Sequence, residues 1–195
     1  MIDLKPACET MIYLLTGTSD DQLTRPTPCA EYTVADLIDH IDEVAQGFAA
    51  IARKDTGEPD GTVAEATPEH SAEGRRLIAA RVRTLGQAWD DQAAWHGDTA
   101  LTADVVLTNE TWGKIALTEM VVHGWDLAVA TDRSCTLPAA TLRACLAHVI
   151  EFIPNAPVPE LWGSAVETSD DAGLIERIVA VTGRNPRWAD AAIRG

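Results

Sequence analysis

Glu119 and His123 stand four residues apart in the segment Leu117-Thr118-Glu119-Met120-Val121-Val122-His123-Gly124-Trp125-Asp126. On a helix that spacing puts a carboxylate and an imidazole on one face, one turn apart. The face is otherwise apolar, with Trp112, Ile115, Ala116, Leu127 and Ala130 within roughly 60° of it at about 100° per residue. A carboxylate inside an apolar stripe is costly to bury without a partner. A divalent metal held by Glu119 and His123 removes that cost and calls for further ligands. His40, on another amphipathic segment, is the best candidate. Three N/O ligands leave a fourth position for water or substrate, as in a catalytic zinc site and unlike a closed structural one. Nickel, iron or manganese accept the same donors, so zinc is favoured without being required. Asp126 lies one turn after His123, and Asp36 one turn before His40. Each is placed to accept a second ring N–H and fix a tautomer.

The competing account makes His123 an ordinary core histidine and Glu119 half of an ion pair. Cations for that pair are scarce. Lys114 is the only lysine or arginine on this helix before Arg133, and it lies on a different face. Asp39, Asp42 and Glu43 are expected to face solvent. His70 and His96 fall in or beside loops, and His148 points away from the Leu142/Val149 seam; all three are expected at the surface. Cys29, between Pro28 and Thr33, sits near the expected mouth of the bundle. With nothing basic flanking it, it reads as a half-buried, inert thiol. Trp112 and Trp125 are close enough in sequence to line a pocket. No phosphate loop, Gly-x-Ser-x-Gly or dinucleotide fingerprint occurs.

The elements that position these residues follow from periodicity. Leu4, Ala7, Cys8, Met11, Ile12 and Leu15 make a helical stripe over about residues 3 to 17. Thr33 with Asp36 forms a capping-box start for a helix reaching about Ala52. Residues 54–69, acidic and rich in Gly, Pro and Thr, read as a mobile loop. A helix follows from about Ser71 to Asp91, locally weakened by Gly86. Residues 98–108 have strand character and suggest a short hairpin. The motif helix runs from about Glu110 to Thr131. Pro138 opens another to about Phe152. A last short helix holds Leu174, Ile175, Ile178 and Val179 and ends at Gly183. Four long helices with short additions imply an all-α antiparallel bundle, in which metal sites form between facing helices.

The bulk numbers bound the reading. A chain of 195 residues is expected to form one domain, 1–195, large enough for a real core. The net charge of −15 argues against nucleic acid and anionic membranes as partners. No apolar run approaches the roughly 18–20 residues of a membrane span. Asp3 and Glu9 interrupt any signal-peptide core, so the protein is expected in the cytoplasm. Four scattered cysteines, without a CxxC pair, fit reduced thiols.

The stretch Arg25-Pro26-Thr27-Pro28-Cys29-Ala30-Glu31-Tyr32-Thr33-Val34-Ala35-Asp36-Leu37-Ile38-Asp39-His40-Ile41 resembles the opening of the actinobacterial DinB-like, mycothiol-dependent maleylpyruvate isomerase group. Residues 116–130 resemble its second motif, and Gly183-Arg184-Asn185-Pro186 resembles the ending of short members. The resemblance implies a DinB-like four-helix bundle with a divalent metal on His40, Glu119 and His123. It also implies a low-molecular-weight, mycothiol-like thiol as co-substrate, presented as thiolate to a small electrophile. That would make the protein a metal-dependent transferase or isomerase. Metal-dependent hydrolysis and a non-catalytic, stress-response binding module are the alternatives. Beyond about residue 153 no separate C-terminal substrate domain is matched, which weighs against maleylpyruvate itself. A homodimer is an expectation from the resemblance alone.

Overall fold

The computed structural model describes residues 1–30, 32–55, 70–102, 105–158 and 162–189. Its first helix, α1 (Lys5–Gly17), has Pro6 in its first turn, where no helical N–H bond is lost. Its buried residues Ala7, Cys8, Met11, Leu14 and Leu15 trace one helical stripe. α2 (Val34–Arg53) starts at Thr33, whose hydroxyl accepts from the Asp36 N–H while the Asp36 carboxylate accepts from the Thr33 N–H. These reciprocal bonds satisfy two donors that the helix leaves open. α3 (Ala72–Ala88) is capped by Ser71 and α4 (Asn109–Ala130) by Thr108. α1 packs on α3 and α4, and α2 packs on the same two, closing the antiparallel four-helix bundle.

Between α3 and α4, β1 (Asp98–Thr102) pairs antiparallel with β2 (Val105–Thr108), Asp98 opposite Thr108 and Thr99 opposite Leu107. The Trp112 indole N–H donates to the Thr99 carbonyl at 2.9 Å, which ties this hairpin to α4. Gly113 lets the helix approach the preceding segment. A Cβ there would lie 2.7 Å from the Trp95 ring and 2.8 Å from the Trp89 ring.

α5 (Ala139–Phe152) packs on α4, and α6 (Leu174–Val181) packs on both. α4 thus has α1, α2, α5 and α6 as neighbours. It buries residues on every face, Leu117, Met120, Val121, Val122 and Leu127 among them. The one-sided stripe expected from sequence is therefore one part of a helix that is apolar all round, the pattern of a central helix. No helix among the described residues is long and apolar enough to cross a membrane.

Three surface expectations are corrected. Asp42 is buried and its Oδ2 accepts from Arg81 and Gln46. A guanidinium from α3 makes that burial tolerable. His148 is buried and stacks on Phe152 with ring centroids 4.9 Å apart. α5 is covered by both α4 and α6, so it has more than one inner side. Burial lowers the His148 imidazole to about 4. His70 is half-buried, with Nε2 2.8 Å from the Asp39 carboxylate. His96 is exposed, as its loop position implies. In the expected loop 54–69, residues 56–69 lie outside the described residues.

Candidate metal centre

Glu119 is a meeting point for two helices. Its Oε2 lies 3.1 Å from His123 Nε2, one turn later on α4, and 3.4 Å from His40 Nε2 on α2. The two imidazoles meet edge to face with centroids 4.8 Å apart. One ligand atom from each of the three side chains lies within 4.8 Å of the others. Around a tetrahedral ion with bonds of about 2.0–2.2 Å, neighbouring ligands stand roughly 3.3–3.6 Å apart. The 3.4 Å spacing falls in that range and the 3.1 Å spacing just below it, so the N₂O set is a candidate donor group for a divalent ion.

The charges are tightly coupled. Burial alone would raise the Glu119 carboxyl, but hydrogen bonds to His123 and His40 hold it well below the usual carboxylate range. Burial alone would lower His123, but hydrogen bonds to Asp126 and Glu119 lift it to about 9. Among the described residues no lysine or arginine pairs with Glu119. Lys114 is engaged with Glu110 at 2.7 Å.

His123 is also held from behind. Its Nδ1 lies 3.0 Å from Oδ2 of Asp126, which is fully buried. The same oxygen accepts from Arg184 Nη2 at 3.1 Å. Arg184 Nη1 donates to the Thr182 carbonyl at 2.9 Å, and Nη2 also approaches Cys29 Sγ at 3.5 Å. A line of contacts thus runs Arg184, Asp126, His123, Glu119, His40. Sequence reasoning singled out Asp126 and missed Arg184 as its partner. The pair is 58 residues apart, and no periodicity links a helix position to a residue beyond the end of another helix. The local signal was Gly183, whose φ of 87° just past α6 is the left-handed turn that ends a helix.

Residues 4–128 match the family model described as the mycothiol maleylpyruvate isomerase N-terminal domain. The chain belongs to this family. It is a DinB-like, mycothiol-related protein. The matched span includes His40, Glu119, His123 and Asp126, whereas Arg184 lies beyond it. Two uncharacterised proteins from two strains of Mycobacterium tuberculosis are each 33% identical over 131 residues. That stretch is 64% of this chain and 63% of each relative, just under two thirds of their length. No solved structure is matched significantly.

In this family member a cavity of about 680 Å³ opens over the three side chains. Trp112 lines it; Trp125 is buried but takes no part in its wall. Tyr32 also lines it, its ring centroid 5.8 Å from that of His40. Asp36 does not support His40. Its carboxylate is committed to the Thr33 N–H and hydroxyl in the capping box, a local bond that wins over a distant one. Cys29 does reach the cavity, and the basic neighbour missing from its flanking sequence is supplied in space by Arg184. Burial still raises its thiol, with Arg184 opposing. Cys29, His123 and Asp126 form a second close donor group, but the guanidinium already contacts two of its members.

Proposed function

We propose that His40, Glu119 and His123 hold a divalent metal, preferably zinc, and that the protein is a metal-dependent transferase or isomerase acting through a low-molecular-weight thiol. The observation that carries this reading is Glu119, drawn into an apolar helix with two imidazole Nε2 atoms on one oxygen and, among the described residues, no lysine or arginine paired with it. Nickel suits the same donors. When bound there, the ion supplies positive charge that favours deprotonation of a thiol in the open position.

The chain's own groups do the rest. Glu119 contributes the negative ligand. Asp126, braced by Arg184, accepts from His123 Nδ1–H and directs Nε2 at the site. α2 brings His40 from the opposite wall. The thiol proton leaves to solvent as the new sulfur–carbon bond forms. In a transfer the electrophile then takes up a proton or expels its leaving group; in an isomerisation the adduct rotates and expels the thiolate again, breaking the same sulfur–carbon bond. Neither of the two acids expected behind the histidines takes the fourth position, which favours an open site over a closed binding module. Asp126 is held behind His123, and Asp36 is held at the start of α2.

Elemental mass spectrometry on protein purified without chelator or metal-affinity tag tests the reading. About one divalent ion per chain is expected, lost in His40→Ala. Wild-type protein that neither carries nor takes up zinc or nickel overturns it. Metal without thiol conjugation to any electrophile leaves the binding-module reading in its place.

A further inference from the structure

We infer that the cavity over His40, Glu119 and His123 is built for an uncharged, largely apolar electrophile about the size of an aromatic ring system, and not for a di- or tricarboxylate. The word electrophile rests on the proposed function; the preference for an uncharged apolar ligand does not.

The wall carries the argument. Tyr32, Phe48, Trp112, Phe152 and Trp162 present rings to the space, with aliphatic side chains such as Val44 and Leu107 between them. The volume of about 680 Å³ lies within the roughly 300–1,000 Å³ typical of small-molecule sites. Apart from the imidazoles, the titratable or charged groups described on the wall are Cys29, Tyr32, Glu43, Glu119 and Arg184. Of the two acids, Glu43 repels an anion, while Glu119 is paired with the imidazoles. Arg184 is the one permanent cation among these groups, and it is spent on Asp126, Cys29 and the Thr182 carbonyl. Its Nε is buried without a partner, but a single N–H cannot grip a carboxylate as a guanidinium fork does.

A bound ion does not change this balance. Its two positive charges are matched by Glu119 and by a thiolate, which leaves nothing for a substrate carboxylate. The net charge of −15 also disfavours approach of anions through solvent. Stripping water from a carboxylate against these rings would go unrewarded.

Gly47 points the same way. It lies within α2 at the exposed rim of the cavity, and a Cβ there would meet nothing within 4 Å. Glycine weakens a helix interior relative to alanine, and no described neighbour requires it. Its effect is to leave the wall open beside Phe48.

Two dyes with one ring skeleton test the inference. N-phenyl-1-naphthylamine is uncharged, and 8-anilinonaphthalene-1-sulfonate adds a sulfonate. Both are titrated by fluorescence into metal-free protein and into zinc-loaded protein saturated with a simple thiol, at one ionic strength. The neutral dye is expected to bind at least about 10-fold more tightly in both states. Gly47→Phe, which fills the wall without meeting backbone, should weaken it by about 10-fold or more with an unchanged melting curve. Sulfonate binding as tight as that of the neutral dye, and lost in Arg184→Leu, would overturn the inference and make this an anion site. Binding of neither dye, or neutral-dye binding indifferent to Gly47→Phe, would also overturn it. Failure of the metal proposal appears separately, as absence of metal in the elemental analysis, and leaves the dye result standing.

Discussion

Asp42 and Glu119 are both carboxylates drawn into the bundle, and they are stabilised in opposite ways. Asp42 faces the Arg81 guanidinium and the Gln46 amide. Its partner is a permanent cation, so the charge on Oδ2 is matched whatever the pH, although the buried Oδ1 has no described partner. Glu119 faces two imidazoles. Imidazole compensates a buried charge fully only when it carries a proton or when both groups share a bound cation. One site is therefore an ion pair with a permanent cation, and the other is a set of donors whose charge balance depends on what else is present. That contrast, more than burial of an acid as such, separates a structural carboxylate from a candidate ligand.

The sharpest way to break the comparison is to remove a member of each. Loss of an outer partner behind a metal ligand costs about 10–100-fold in affinity, and loss of a ligand itself should cost more. His123→Ala is therefore expected to weaken zinc binding by more than about 100-fold, read by competition with a chromophoric chelator. Asp42→Asn leaves Arg81 facing a neutral amide. It should lower stability by about 3 kcal/mol in a denaturant titration and leave zinc affinity unchanged. Equal loss of zinc affinity in both variants would mean that the two carboxylates belong to one network after all.

The same contrast marks what was legible in the chain. Thr33 and Asp36 announce the start of α2 because capping is local, and the stripe of Leu4, Cys8, Met11 and Leu15 announces α1 because periodicity is local. Glu119 and His123 stand out for the same reason, being one turn apart on an apolar helix. Arg81 and Arg184 could not be assigned their partners, which lie 39 and 58 residues away in sequence. Those contacts depend on how far each helix is rotated in the bundle. His148 was misplaced because α5 is covered from two sides, and one seam accounts for only one of them. Asp36 was misjudged because its nearest backbone donor competes with a histidine one turn away.

Proton binding sharpens the comparison further. His123 is lifted from an ordinary 6.5 to about 9, so the metal-free folded state holds a proton that the unfolded chain releases in that interval. The stability from this group is fully present below about pH 6.5 and is lost as pH rises through about 9. A metal displaces that proton, so zinc-loaded protein should hold its stability nearly level over the same interval. His148, lowered to about 4, is neutral throughout it. Tm measured between pH 6.5 and 9 should fall with chelator present and stay nearly level with zinc. A metal-free Tm that rises across the interval would remove the imidazolium–carboxylate pair from the account.

The smallest expected effect concerns Asp36. Its carboxyl is held below the ordinary value first by the Thr33 hydroxyl and then by the Thr33 N–H. Stability from that pairing is present above the ordinary carboxylate range and is lost as pH falls through the lowered value. Asp36→Ala removes the reciprocal bonds at the first turn of α2 and leaves the rest of the helix packed. Tm should drop slightly at neutral pH, by less than in Asp42→Asn, with the difference shrinking in acid. Zinc affinity should stay at the wild-type value, because His40 lies one turn further along and bonds to Glu119 instead. A fall in zinc affinity of about 10-fold or more in Asp36→Ala would instead tie this acid to His40. The two ends of the donor set would then be braced alike, one by Asp126 and the other by Asp36.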